Sequence, residues 1–267
     1  MNSKRPRVGI IGGSGFYGLF DKTEELEIET PYGNPSDKIE IGAIDKVDVA
    51  FLPRHGKKHS FPPHSIPYRA NLYALHKLGV ERVIGPSAAG SLNSRINPGD
   101  FVIADQFVNL TNGRKDTFYD GPETIHIGTS EPYCPELRKK IISSATSLGL
   151  TVHSTGTVAV IQGPRFSTKA ESRFFSKQGW DVINMTQYPE ATLARELQMC
   201  YANISLITDH DVGLEGDASI KAVSSEMVAE IFKKNNFKLK QLLTNLIPEI
   251  PEKRSCSCSS SLNGARI

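Results

Sequence analysis

Asp209 and Asp211 stand two residues apart where the apolar run Ala202 to Thr208 ends. On extended backbone both side chains point to one face. Two close carboxylates repel, which raises one pKa, and a carboxyl that keeps its proton near neutral pH can serve as a general acid. A calcium or magnesium site on the same pair would need more acidic ligands than Glu215 and Asp217 in the glycine-rich stretch that follows, so no metal is expected. Three other places suit an oxyanion. Gly12-Gly13-Ser14-Gly15 follows the strand-like Arg7 to Ile11, and its N–H groups with the Ser14 hydroxyl can cradle an anion. Pro53-Arg54-His55-Gly56 ends a second apolar run, with a planar fork of donors at Arg54 and one or two more at His55. Pro86-Ser87-Ala88-Ala89-Gly90 reads as a small-residue turn after strand Arg82 to Ile84, offering the Ser87 hydroxyl and the Ala88 amide.

The elements that must position these groups follow from pattern. Thr157 to Gln162 is a buried strand, broken by Gly163-Pro164. Thr168 and Glu171 form a capping box that starts a helix, and Gly179 suits its end. Val182-Ile183 is a short strand that stops at Asn184-Met185-Thr186. Residues 39–44 and 47–52 make a hairpin around Asp45-Lys46, and 101–110 is one strand. Helices are predicted over 68–78, 135–149, 190–200 and 219–246, the last with a break at Asn235-Asn236. Helix, terminal glycine, then strand recurs at Gly79, Gly149 and Gly179, which is α/β layering. In an α/β sheet ligands bind at the carboxyl ends of the strands, where the candidate residues lie.

The chain has 267 residues, of which 39% are hydrophobic and 22% charged, enough for a single α/β domain over 1–250 with a flexible tail at 251–267. A net charge of +2 with no long Lys/Arg block argues against a nucleic-acid partner. No stretch is apolar enough for a membrane span, and the glycine-rich start is a poor signal peptide, so a soluble cytoplasmic protein is expected. Gly13 to Gly18 matches G-x-G-x-x-G, which keeps a dinucleotide-binding protein as a rival reading. That reading wants an amphipathic helix next and an acid closing the following strand, and the sequence supplies neither.

Gly163-Pro164-Arg165-Phe166 followed by Asn184-Met185-Thr186 resembles the trimeric purine nucleoside phosphorylases, and among them the 5′-methylthioadenosine phosphorylases, over nearly the whole chain. The resemblance implies a nucleoside phosphorylase fold: one domain, a mixed central sheet, partly barrel-like, flanked by helices. It implies that phosphate, a co-substrate with no other cofactor, is held by Ser14, Arg54, His55, Ser87, Ala88 and Thr186. Met185 would face the sugar, with Phe166 and Ile183 on the base. Asp209 would protonate purine N7 and Asp211 would accept from the 6-amino group. Similar enzymes that cleave 6-oxopurine nucleosides carry Asn at the position of Asp209. The resemblance also implies that Ser167, Ser225 and Val228 set specificity, with His126 reaching in from the neighbouring subunit of a trimer or dimer of trimers. Ser225 departs from the usual Val, which leaves adenosine, inosine, guanosine and methylthioinosine open as substrates.

Four cysteines remain. Cys134 and Cys200 can pair, and Cys256-Ser257-Cys258 can close a small strained disulfide in the polar tail. With no His or third Cys close in sequence to that tail pair, zinc is not expected there.

Overall fold

A computed structural model describes residues 5–13, 20, 23–212 and 223–266. Ser14, the rest of the G-x-G-x-x-G match, Glu215 and Asp217 lie outside the described residues. The strands are β1 Val8–Gly12, β2 Glu24–Leu26, β3 Ile39–Ile44, β4 Val47–Pro53, β5 Arg82–Ser91, β6 Phe101–Val102, β7 Gln106–Leu110, β8 Val152–His153, β9 Thr157–Ile161, β10 Val182–Asn184 and β11 Cys200–Asp209. The helices are α1 Tyr68–Lys77, α2 Pro135–Ser147, α3 Lys169–Lys177, α4 Gln187–Glu196 and α5 Ser225–Leu246.

The sheet is mixed and runs β2-β3-β4-β1-β5-β10-β9-β7, with β11, β6 and β8 branching from β5. It is open, so the barrel-like expectation is corrected: among the described strands, β2 and β7 end the path without pairing. β4, β1, β5 and β11 are parallel neighbours, so their carboxyl ends share one edge of the sheet. Side-chain alternation sends Ile11, Tyr201 and Ile207 into a core under α1 and α4. The alternate residues Val8, Ile10, Cys200, Ala202 and Ile204 pack beneath α2 and α5. Such two-sided burial explains why these strands read as apolar runs. The dinucleotide reading also loses its scaffold, because β2 sits at the sheet edge on β3 and not beside β1.

Several elements differ from the sequence reading. The small-residue stretch after Ile84 is not a turn but a continuation of β5 to Ser91. Gly85 and Gly90 favour a turn in isolation, yet both allow close packing here. A Cβ on Gly85 would fall 2.2 Å from the Tyr201 hydroxyl, and one on Gly90 would fall 2.9 Å from Asp209 Oδ1. The single strand expected over 101–110 is split, with β6 pairing β11 and β7 pairing β9. Asn235 does not interrupt α5; its amide donates to the Ile231 carbonyl at 3.0 Å.

The C-terminal segment is not a loose tail. Arg254 donates to the Gln198 carbonyl (2.7 Å), Ser255 N–H to Glu136 (2.6 Å), Gln198 to the Ser259 carbonyl (2.6 Å) and Ser261 to the Arg195 carbonyl (2.6 Å). The His126 amide donates to the Ala265 carbonyl (2.8 Å), and Cys258 and Ala265 are buried. Its polar composition misleads because hydrogen bonds to and from the body, and not apolar burial alone, hold it. This docking brings all four cysteines together as free thiols, so neither expected disulfide is present and Cys256-Ser257-Cys258 does have further thiols beside it. Truncation after Ile250 should therefore cost about 3–5 kcal/mol, at about 1 kcal/mol per lost hydrogen bond. Chemical denaturation of the two chains measures it, and an unchanged midpoint would mean that the docking contributes nothing.

Candidate active site

A cleft of about 410 Å³ opens at the carboxyl ends of β1, β4, β5 and β11. That size suits a nucleoside. β5 creates it. On one edge β1 pairs with β5 only as far as Ile84, and β10 begins at Gly90. Among the described residues, that edge has no strand partner from Gly85 to Ala89. The Pro86 carbonyl turns toward this gap, where Arg54 Nη1 donates to it at 2.9 Å. The Gly85 carbonyl turns the other way, to Asn203 Nδ2 (2.7 Å). Two-residue alternation then puts the Ala88 N–H on the open edge with Pro86.

Ser87 is buried, and its Oγ accepts from Asn203 Nδ2 (3.0 Å) and Asn184 Nδ2 (3.3 Å). With both acceptor sites taken, its one proton is left to donate into the cleft. Thr186 is the N-cap of α4 but makes no capping hydrogen bond, and it too lines the cleft.

Arg54 is less available than its sequence position suggests. Its Nε donates to Glu190 Oε1 (2.5 Å) and its Nη2 to Glu190 Oε2 (3.1 Å) and the Ile11 carbonyl (2.7 Å). With Pro86, four of five donors are committed, and the bidentate fork faces Glu190. Burial disfavours the guanidinium charge, but the Glu190 carboxylate outweighs that and holds it on. Tyr201 OH completes the unit by donating to Glu190 Oε2 at 2.7 Å.

His55 is also corrected. Its Nδ1 lies 2.8 Å from the Phe61 carbonyl, which can only accept, so Nδ1 carries the proton. Burial, helped by the nearby Arg54 charge, lowers its pKa to about 4. At neutral pH Nε2 therefore bears a lone pair and can accept a P–O–H proton rather than donate.

Across the cleft, Thr208 is an extra residue in β11: Ile207 pairs with Ala89, and Asp209 with Gly90. Such a bulge re-aims the side chain that follows it. Asp209 accepts from the Thr208 hydroxyl and the Asp211 N–H, each at 2.7 Å. Its pKa is nonetheless raised, because burial outweighs both bonds. Asp211 is raised as well, again mainly by burial, with the Ser172 hydroxyl opposing and Asp209 adding. Repulsion within the pair is thus a minor cause, contrary to the sequence argument. Nor do both lie on regular strand, since Asp211 has φ +48°.

Met185, Ile183 and Phe166 line the cleft, as do Ser225 and Val228 from the first turns of α5. Gly163 has φ +61°, and a Cβ there would meet Met185 Sδ at 2.6 Å, so only glycine lets the loop close on Met185. The capping box at Thr168 and Glu171 is present and starts α3. Ser167 sits against Asp211 behind the lining, and His126 is exposed and outside this cleft. Sequence reasoning missed Glu190, Asn184, Ala229 and Phe232. Asn184 Oδ1 and Asp211 Oδ2 are buried without a hydrogen-bond partner at the cleft, as expected of groups that await a ligand.

Residues 7–248 match the model of the phosphorylase superfamily. The chain belongs to that superfamily. It is 54% identical over 257 residues to the S-methyl-5'-thioadenosine phosphorylase of Pyrococcus horikoshii, covering 96% of this chain and 98% of that one. It is 46% identical to the 6-oxopurine nucleoside phosphorylase of Pyrococcus furiosus, covering 97% and 99%. Among solved structures, this phosphorylase superimposes on the Schistosoma mansoni methylthioadenosine phosphorylase in complex with adenine with a TM-score of 0.91 and 34% identity, covering 98% and 99%.

Within this phosphorylase, Glu190→Gln would leave a buried guanidinium without its countercharge. The substitution should cost about 3–5 kcal/mol. A melting temperature equal to wild type would show that the pair is not needed to hold the cleft.

Proposed function

We propose that the enzyme cleaves 5′-methylthioadenosine with inorganic phosphate, giving adenine and 5-methylthioribose-1-phosphate. One observation carries the reading. A buried carboxyl of raised pKa, Asp209, faces oxyanion donors at Ser87 and the Ala88 edge across a cleft of nucleoside size. Breaking an N-glycosidic bond goes through an oxocarbenium-like transition state. Phosphate on the Ser87 side stabilises the developing positive sugar and attacks C1′. The departing purine gathers electrons, and protonated Asp209 delivers a proton to N7. Arg54, His55 and Thr186 complete the phosphate side, with no cofactor beyond phosphate itself. Asp211, with Asn184 beside it, takes the 6-amino edge of the base. Phe166 and Ile183 shape the base pocket.

Asp rather than Asn at position 209 favours adenine, because the carboxyl oxygen that carries no proton can only accept, which suits a 6-amino group and repels a 6-oxo group. At the 5′ end Val228, Ala229 and Phe232 outnumber the Ser225 hydroxyl, which suits a thiomethyl group. The apolar wall ranks methylthioadenosine above adenosine, while Ser225 supports some turnover of adenosine. His126, exposed on a loop outside its own cleft, fits a role in the neighbouring subunit of a homotrimer or a dimer of trimers. No helix among the described residues is long and apolar enough to cross a membrane.

Adenine release from methylthioadenosine should require phosphate; equal release without it would make the enzyme a hydrolase and leave Ser87 and His55 without a role. Asp209 acts in its protonated form, so kcat should fall as pH rises through its raised pKa. Asp209→Asn should abolish that alkaline limb and shift preference toward 6-oxopurine nucleosides by about 10²-fold or more, the usual scale of a general-acid contribution. An unchanged pH profile would remove Asp209 from the proton transfer.

A further inference from the structure

A row of buried polar side chains that touches no substrate ends on Ser87. Asn203 and Ser205 stand two apart on β11, so they share one face of that strand, and their backbone partners on β5 are Gly85 and Ser87. Gln187 opens α4 directly after Thr186, and Tyr133 lies just before α2. All four side chains are buried, Asn203 and Ser205 completely. Tyr133 OH donates to Gln187 Oε1, Gln187 Nε2 to Ser205 Oγ (3.4 Å), and Ser205 Oγ to Asn203 Oδ1 (2.6 Å). Asn203 Nδ2 then donates to both Ser87 Oγ (3.0 Å) and the Gly85 carbonyl (2.7 Å).

The direction of every bond in the row follows from that carbonyl. A carbonyl only accepts, so the Asn203 atom facing it is the amide nitrogen, and Oδ1 is left to face Ser205. Oδ1 also only accepts, which takes the Ser205 proton. The Ser205 oxygen accepts in turn, which sets Gln187 Nε2 toward it and Oε1 toward the Tyr133 hydroxyl. No member can turn over without bringing two acceptors or two donors face to face. Asn184 Nδ2 also donates to Ser87 (3.3 Å), but Asn184 Oδ1 has no partner to hold that amide one way round.

We infer that Asn203 is a positioning residue for phosphate, kept in its orientation by Ser205, Gln187 and Tyr133. Its second amide hydrogen occupies a lone pair of Ser87 and so reserves the Ser87 proton for the anion. The inference rests on the reading of Ser87 as a phosphate donor given above. A fully satisfied buried network is rigid, whereas apolar packing behind Ser87 would leave its hydroxyl free to rotate. Gln187 adjoins Thr186 in the chain, so the same row ties the Thr186 end of the cleft to Ser87.

Asn203→Asp tests this, because a carboxyl brings at most one proton where the amide brings two, and cannot serve both Gly85 and Ser87. The quantity to measure is the KM for inorganic phosphate at saturating methylthioadenosine, in the full enzyme and in the Ser87→Ala background. Ser87→Ala alone should raise that KM about 10- to 100-fold, the span of one hydrogen bond to a charged group. Asn203→Asp alone should raise it about 10-fold or more, with kcat at saturating phosphate and the KM for methylthioadenosine little changed. Added to Ser87→Ala, it should leave the phosphate KM the same within about twofold. A merely loosened fold would add its loss in both backgrounds. Ser205→Ala strips Asn203 Oδ1 of its donor with little loss of volume; it should show the same pattern at smaller size, and it carries the test where Asn203→Asp fails to fold. An unchanged phosphate KM in these variants, or equal effects in the two backgrounds, would overturn the role of Asn203 alone. An unchanged phosphate KM in Ser87→Ala would overturn the phosphate reading of Ser87 and this role with it.

Discussion

The buried pair of Arg54 and Glu190 is the joint on which the cleft depends. Arg54 leaves the end of β4 and reaches the Ile11 carbonyl on β1, the Pro86 carbonyl on β5 and the Glu190 carboxylate on α4. Tyr201 adds β11 through the same carboxylate. Four strands and one helix are thereby held by one guanidinium and one carboxylate, both almost fully buried. Burying either charge alone costs several kcal/mol, so each residue commits the other to its place. The pair also settles the electrostatics of its side of the cleft. Glu190 compensates the Arg54 charge before any ligand arrives, and polar donors rather than a naked cation are left to face the cleft.

The same economy appears opposite. Among the described residues Asp209 is buried without a basic partner, and they offer it only a hydroxyl and an amide N–H. Two such bonds do not match lost hydration, so the proton is retained. One side of the cleft therefore has a neutralised cation and the other a carboxyl that tends to stay neutral. Neither side carries an uncompensated charge to repel an approaching nucleoside or phosphate.

Much of this was legible in the chain itself. Arg54, His55, Asp209 and the stretch around Met185 each end an apolar run, and chemistry-bearing residues at strand ends are a local signal. The capping box at Thr168 is local too, and it starts α3 where read. The rest depends on tertiary structure. β5 runs through a stretch that reads as a turn, because Gly85 and Gly90 make room for Tyr201 and Asp209, which lie far away in sequence. Glu190 reads as a helix-start acid, and only the fold turns it on Arg54. The tautomer of His55 depends on Phe61, six residues away across a loop. The thiol cluster needs α2, β11 and the C-terminal segment to meet, and no spacing rule joins them.

The positive φ of Asp211 has a bearing on how this site can change over generations. Asp209 sits on extended backbone that any residue can adopt, whereas Asp211 holds a left-handed conformation that costs most side chains energy and suits Asn, Asp and Gly. Mutational drift therefore meets little backbone resistance at the first carboxylate and strong resistance at the second. With the base read at position 209, as we propose, a lineage altering its choice of purine would have a short path there, one carboxylate-to-amide exchange with the main chain unmoved. Position 211 is held by its conformation to a narrow alphabet, whatever base the descendants come to prefer.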